Sequence, residues 1–426
     1  MTITPDSRAF DVGYLMRSGT LNITTLPPLS LYIHLPWCIK KCPYCDFNSH
    51  ALKSSPSAHL KNSANLNIVA LDSVSSIELV EDRYIDSLIK DLQTSLPLIW
   101  GRPVHSVFLG GGTPSLFSPR SIERLISAVR SLVILLPGCE ITLEANPGTF
   151  ERDRFKAFKA AGVTRLSLGV QSFNDEHLKI LGRVHDRNQA IAAASEAAEI
   201  FDTFNLDLMY ALPHQSLDDL STDLKTAFEF DPPHLSIYHL TIEPNTFFAK
   251  YPPQKLPEED VAYEMLDKIE EYAVKKGLQR YEVSAFAKPN HRCVHNLNYW
   301  QFGDYLGIGA GAHSKLTFAH RIVRQIRHKE PLMYMDNAEL ESPVAKSDEV
   351  ARSELPFEFM LNLFRLKDGF NLQMYAERTG MPLSSIQAGI DEAFQKGLLE
   401  RDMMQVKPTS KGFDFLSDLQ SLFLPG

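Results

Sequence analysis

Residues 31–47, LYIHLPWCIKKCPYCDF, decide how the rest of the chain is read. Cys38, Cys42 and Cys45 stand in a C-x3-C-x2-C spacing directly behind the apolar run 29–35, whose β-formers and length suit a buried strand. Three thiols therefore sit on one tight loop at the C-terminal end of a strand. A loop this short can turn its sulfurs toward one point, and soft thiolates select Fe–S clusters, zinc or Cu(I). Three cysteines fill three corners of a [4Fe–4S] cube and leave the fourth iron open to a small molecule. The plainer alternative is a structural zinc site with His34 or His50 as fourth ligand. Structural zinc usually draws on two ligand pairs from separate segments. Here the remaining cysteines, Cys139 and Cys293, are isolated. The cluster is favoured.

The chain has 426 residues, 44% hydrophobic and 22% charged, enough for a large core and one smaller domain. Its formal charge of −9 argues against a nucleic-acid partner, which a basic face would attract. Five cysteines, three of them together, argue against a secreted disulfide framework. No apolar signal region opens the chain. The most apolar stretch, 125–136, is interrupted by Arg130 and stopped by Pro137. A cytoplasmic protein without a transmembrane segment is expected, with contact at a membrane surface left open.

Residues 1–28 lack periodicity and end in Pro27 and Pro28, so a loosely ordered arm is expected there. Residues 51–80 are rich in Ser, Asn and Lys and read as an exposed loop or insertion beside the site. A helix follows over 82–95, with Ile85, Leu88, Ile89 and Leu92 as its apolar stripe. Strands at 105–110, 140–145, 165–170, 205–210 and 234–242 then alternate with helices at 121–135, 153–161, 188–200 and 216–229. With 29–35 these make six βα units, hence a parallel sheet with right-handed crossovers. The fold class is α/β, an open partial (β/α)6 TIM-like barrel, whose site belongs at the C-terminal ends of the strands. A helix over 258–276 and the segment HNLNYW, 295–300, come next. Near 345 the pattern turns helical (354–366, 372–379, 383–396), stops at Gly397 and closes on a short hairpin. That is a winged-helix-like domain with no basic helix face, hence a structural or docking unit. The expected boundaries are 1–28 arm, 29–285 barrel, 286–345 covering segment and 346–426 C-terminal domain.

The polar motifs fall at strand ends. Gly110-Gly111-Gly112-Thr113 follows the second strand and lets a ligand approach the backbone without Cβ obstruction, or is simply a tight βα turn. Glu144 and Asp207 end different strands and can face the barrel mouth. Ionised carboxylates there suit the hydroxyls of a ribose or an ammonium group, unless they only cap the next helices. Gln171 and Arg183 lie just past the fourth strand. Tyr32 and Tyr44 flank the cysteines, where core packing would explain an aromatic equally well.

The cysteine stretch resembles the radical S-adenosylmethionine (SAM) superfamily, and Y-I-H-L-P-W-C-x3-C-P-Y-C resembles its anaerobic coproporphyrinogen III oxidase family. The resemblance runs from Leu31 through Leu419. It implies a [4Fe–4S] cluster on Cys38, Cys42 and Cys45. SAM would chelate the open iron and be cleaved to a radical on one-electron reduction; the chemistry is the cofactor's and the placement the protein's. It further implies SAM contacts from Tyr32, Tyr44, Gly111, Gly112, Thr113, Glu144, Gln171, Arg183 and Asp207. The authentic oxidases carry a fourth cysteine two positions past the third, where this chain has Phe47. Phe47 together with His295-Asn296-x-x-Tyr299-Trp300 resembles the HemW-like heme chaperone subgroup. That implies heme binding and delivery to an acceptor protein. His295 is then the leading axial ligand, Tyr299 and Trp300 would pack on the porphyrin, and Cys293 is a weaker thiolate candidate. His313 and His239 are expected to be structural. Two alternatives stay open: an oxygen-independent coproporphyrinogen III oxidase decarboxylating two propionates, and a radical enzyme on another substrate.

Overall fold

The run Leu29–Leu35 forms β1, buried along its length except for a half-buried Tyr32, as expected of a parallel strand covered on both faces. The computed structural model describes residues 9–51, 73–148 and 151–425. Five further strands follow β1 in parallel register: β2 (Val104–Gly111), β3 (Leu135–Ala145), β4 (Arg165–Gln171), β5 (Thr203–Tyr210) and β6 (His234–His239). All six C-terminal ends therefore point the same way. Helices α1 (Ser73–Ile99), α2 (Pro119–Leu132), α3 (Glu151–Ala161), α4 (Arg187–Ile200) and α5 (Leu217–Phe228) connect them.

Local chemistry sets the helix starts. Ser118 accepts from Ser121 N ahead of Pro119, while Asp186 with Gln189 and Ser216 with Asp219 form reciprocal capping boxes. The buried residues of α1 and α2, among them Ile85, Leu88, Ile122 and Leu125, pack with Leu31, Ile33, Leu109 and Leu143 of the sheet in one core. Each such side chain contributes on the order of 2 kcal/mol by leaving water.

The sheet extends beyond the six strands. At one edge β7 (Ala285–Ala287) runs antiparallel to β6, with Gln279–Arg280 outside it. At the other, β8 (Asp304–Ile308) lies parallel to β1, and β9 (His313–Phe318), β10 (Arg321–Arg327) and β11 (Val344–Glu349) follow antiparallel. The result is a twelve-stranded open sheet among the described residues. Within residues 286–345, expected as a covering segment, β8, β9 and β10 continue the sheet. Helices α6 (Glu259–Lys275), α7 (Val294–Trp300) and α8 (Pro331–Glu339) complete this part, with α7 carrying the HNLNYW segment.

Several boundaries differ from expectation. The first helix begins at Ser73 rather than near Asp82, so 73–80 is helical; the rest of the anticipated loop, 52–72, lies outside the described residues. The serines at its start hid the period. Strand β3 begins at Leu135, the last residue assigned to the preceding helix, five residues ahead of the expected start at 140. The expected loose arm contains the helix Val12–Leu15, and it buries Leu15 in the main core and Leu21 and Ile23 in the C-terminal one.

The C-terminal domain has α9 (Leu355–Leu363), α10 (Leu372–Thr379) and α11 (Gln387–Gln395), then a hairpin of Leu399–Asp402 with Gln405–Pro408. Phe370–Asn371 adds a third strand, the wing pattern expected. Its core includes Phe302 and Ile322 from the sheet side, which docks the domain firmly. Among the described residues no helix is long and apolar enough to cross a membrane.

A candidate cluster and ligand cavity in the barrel

The loop after β1 brings its three thiols into mutual electrostatic range and gives each a polar neighbour. Thr113 Oγ1 donates to Cys38 Sγ at 3.6 Å, Arg183 Nη1 to Cys42 Sγ at 3.7 Å, and Ser49 Oγ lies 3.7 Å from Cys45 Sγ. Burial raises the Cys38 thiol's pKa; Cys45 and Cys42 raise it further, while Thr113 and Ser49 pull it down. Three soft sulfurs with donors aimed at them suit a thiolate-ligated iron–sulfur cluster. His34 is not a free fourth ligand. Its Nε2 donates to the Asn48 carbonyl at 3.0 Å, so Nδ1 is left to accept from the Tyr32 hydroxyl, also at 3.0 Å. Burial lowers its pKa to about 4 and keeps the ring neutral. His50 lies outside the cavity lining, with Nε2 unpartnered among the described residues.

The glycine run works mostly inward. Gly111 N donates to Glu144 Oε2 at 3.0 Å, and Gly112 N to the Leu35 carbonyl at 2.8 Å. A Cβ on Gly112 would stand 2.6 Å from the Trp37 carbonyl oxygen. The glycine lets the end of β2 press against the cysteine loop, the tight βα turn that the sequence offered beside ligand approach.

Around this cradle the other polar groups converge. Glu144 is half-buried, and its desolvation first, then Asp207, push its pKa up to about 7. Asp207 is raised by burial and drawn down by Asn205, Arg165, Ser167 and Ser236. Gln171 holds a left-handed φ of 69°. The turn behind it is clamped by Asp223, which accepts from Ser172 Oγ at 2.7 Å and Phe173 N at 2.8 Å. Arg183 donates to the Gly169 carbonyl at 2.7 Å and to Asn146 Oδ1. Asn146 in turn donates to Thr113 Oγ1 at 2.8 Å. It thus bridges two groups that touch the cysteines, and sequence reasoning passed over it although Glu144-Ala145-Asn146-Pro147-Gly148 marked the strand end. Tyr44 packs beside Leu181, Met209, Leu212 and Phe248.

Helix α7 closes the barrel interior from the β1–β2 side. Glu140 Oε1 accepts from the backbone N–H of Val294 at 3.0 Å and of His295 at 3.4 Å, capping the helix start. His295 turns inward, buried, with Nδ1 3.2 Å from Ser106 Oγ and its ring 5.0 Å from that of Phe108. Burial drives its pKa down to about 3, so the imidazole is neutral. Cys293 is buried, its thiol pushed up to about 12 by that burial. Tyr299 is more exposed, and Trp300 carries the Arg365 guanidinium over its ring at 4.2 Å. His239 and His313, expected to be structural, are exposed on the cavity wall.

All of these strand-end groups line one cavity of about 1670 Å³, larger than a single drug-sized ligand needs. Its wall includes Cys38, Cys42, Cys45, Tyr32, Tyr44, Gly111, Gly112, Thr113, Glu144, Gln171, Arg183, Asp207 and His295, while the weaker thiolate candidate Cys293 is not part of it. Phe47 stands at its lip, 61% exposed.

Comparison with known proteins agrees with this architecture. The radical SAM superfamily model matches residues 32–227 and the HemN C-terminal domain model residues 350–415. The chain is 44% identical over 401 residues to the heme chaperone HemW of Escherichia coli K12, covering 94% of this chain and 99% of that one. It is also 44% identical, over 405 residues, to that of Haemophilus influenzae, with 94% and 98% covered. Among solved structures, the coproporphyrinogen III oxidase HemN of E. coli superposes with a TM-score of 0.76 at 23% identity, over 93% of this chain and 90% of that one. That likeness concerns the fold.

Proposed function

The chain belongs to the HemW family of the radical SAM superfamily, and from that premise we propose that it binds heme and delivers it to an acceptor protein. Membership implies SAM and an iron–sulfur cluster. The donor set fits: Cys38, Cys42 and Cys45 would hold the cluster, and Tyr32, Tyr44, Gly111, Gly112, Thr113, Glu144, Gln171, Arg183 and Asp207 would receive SAM. When bound, that pair supplies one-electron chemistry. The chain's own groups hold and orient it, through Arg183, Asn146 and Thr113 against the sulfurs and a carboxyl pair deep in the barrel.

Heme is the cargo. The observation that carries this reading is that α7 sets His295 into the same cavity as the three cysteines. His295 is proposed as the iron ligand through Nε2, because Ser106 occupies Nδ1 and fixes the ring. A ring that burial keeps neutral is in the form that metals bind. Tyr299 and Trp300 stand near enough to line the porphyrin's path. Phe47, exposed where the oxidases have a further cysteine, offers neither a metal ligand nor a proton donor. The acceptor, and an action inside the cytoplasm, are part of this proposal.

The test is an anaerobic heme titration of the cluster-reconstituted protein, followed by Soret absorbance, with wild type beside His295→Ala. Saturation near one heme per chain is expected. The variant should bind at least about tenfold more weakly, about 1.4 kcal/mol. Absence of saturable binding overturns the proposal. Coproporphyrinogen decarboxylation under reducing conditions is then the next assay.

A further inference from the structure

In the barrel interior, reaching inward from the candidate SAM contact Asp207, the polar groups form a nearly closed circuit. Asn205 donates to Ser167 Oγ and to Asp207 Oδ1, both at 2.8 Å. Its Oδ1 receives Ser236 Oγ at 3.0 Å and pairs with His234 Nδ1 at 2.7 Å, while His234 Nε2 meets the Tyr281 hydroxyl at 2.9 Å. Glu140 spends Oε1 on the start of α7. One residue in this layer is left over.

Arg165 opens β4, is 2% exposed, and lines the same cavity. Among the described residues its Nε and Nη2 have no hydrogen-bond partner. Its contact with Glu140 Oε2 is 3.8 Å long, an ion pair without a hydrogen bond. A buried guanidinium with idle N–H groups is costly, since each donor has given up water without gaining a partner. Its planar fork matches a carboxylate in two-point geometry. Arg165 and the helix that carries His295 also share a neighbour, because Glu140 lies 3.8 Å from Arg165 Nε and accepts from the His295 backbone N–H, and both residues line the one cavity.

We propose that Arg165 is the receptor for a ligand carboxylate in this cavity, and that this carboxylate is a propionate of the porphyrin. This rests on the heme reading above. The other source of the same chemistry is the carboxylate of SAM, and the measurement separates the two.

The experiment titrates the full-length, cluster-reconstituted protein with heme and with heme dimethyl ester, whose propionates are capped. It is repeated for Arg165→Gln and Arg165→Lys, with SAM affinity measured on each protein. Wild type should prefer heme over the ester by at least about tenfold, the scale of one charge-assisted pair. Arg165→Gln should lose that preference while binding the ester as wild type does. Arg165→Lys should recover part of it, and SAM affinity should stay unchanged. The wild-type comparison needs no variant, so a misfolded Arg165→Gln does not shield the proposal. Equal wild-type affinity for heme and ester overturns it, as does discrimination that survives in Arg165→Gln. A loss confined to SAM assigns the carboxylate to SAM and overturns it too. Failure of wild type to bind either porphyrin removes the heme reading itself, a distinct outcome.

Discussion

His34 Nε2 donates to the carbonyl oxygen of Asn48 at 3.0 Å and so ties the far end of the cysteine loop back to the strand that launches it. Asn48 extends the tie, donating through Nδ2 to the carbonyls of Ala310 at 2.9 Å and Lys329 at 2.8 Å. The loop is thereby pinned to both β1 and the segment beyond β8. His34→Phe keeps a ring of similar size and deletes both side-chain bonds. It should cost about 1–3 kcal/mol of stability, from the Tyr32 and Asn48 groups left unpaired. It should also lower the iron and sulfide retained per chain after reconstitution and exposure to a chelator. Full retention at wild-type rates would show that the loop holds its shape without the histidine.

Gly112 tests the same junction from the opposite strand. A methyl at this position would stand 2.6 Å from the Trp37 carbonyl oxygen and 2.7 Å from the Pro36 carbonyl carbon, both backbone. Backbone cannot rotate away as a side chain would. Gly112→Ala should therefore displace the cysteine loop, lowering cluster content more than thermal stability, since the loop is largely outside the core. Measured together, iron per chain and unfolding midpoint should diverge. If iron stays at wild-type level, the close approach is not what requires the glycine.

How much of this was legible in the sequence differs by element. The six βα units could be read because buried parallel strands are short runs rich in apolar β-formers, as in Leu29–Leu35, and because capped helices separate them. The cysteine spacing and the strand-end motifs all fall on one cavity wall, since a parallel sheet sends every strand end to one side. The extension by β8 to β11 was not legible, because pairing partners depend on contacts far along the chain. Asn146 and Asp223 were missed for a related reason: one is a short polar residue in a loop and the other lies on a helix. Only the folded chain brings them to Thr113, Arg183 and Ser172. In the sequence Arg165 is no more than the first residue of a strand, and its idle guanidinium is visible only once its neighbours are paired off.

The carboxyl of Glu144 gives a pH prediction with a definite sign. Burial, aided by Asp207, raises its pKa from 4.5 to about 7. Between those values the folded chain keeps a proton that the unfolded chain has released. The stabilisation is fully present below about pH 4.5 and is lost as pH rises through about 7. Glu144→Gln imitates the protonated form and should not suffer that loss. Its stability relative to wild type, by urea unfolding without SAM, should therefore rise between pH 4.5 and 7. The gain should be on the order of 3 kcal/mol at 1.36 kcal/mol per unit. A difference that stays flat, or shrinks as pH rises, contradicts the desolvated-carboxyl account.

Asp223 and Gln171 form the last pair. Gln171 sits at a φ of 69°, a region that disfavours side chains and costs about 1–3 kcal/mol where the surroundings enforce it. Asp223 is the enforcer: from α5 it accepts from Ser172 Oγ and Phe173 N, the two residues after the strained one. Asp223→Ala should destabilise the protein by about 2–3 kcal/mol, since it leaves a buried amide and hydroxyl unpaired. It should also weaken SAM binding, because the turn that presents Gln171 is freed. A double-mutant cycle with Gln171→Gly separates clamp from general packing. In the glycine background the left-handed turn is no longer strained, so Asp223→Ala should cost less than in wild type. Strict additivity of the two changes would mean that Asp223 supports the core and not the turn. Coupling of about 1 kcal/mol or more would mean that strain at Gln171 is held in place by a single buried carboxyl.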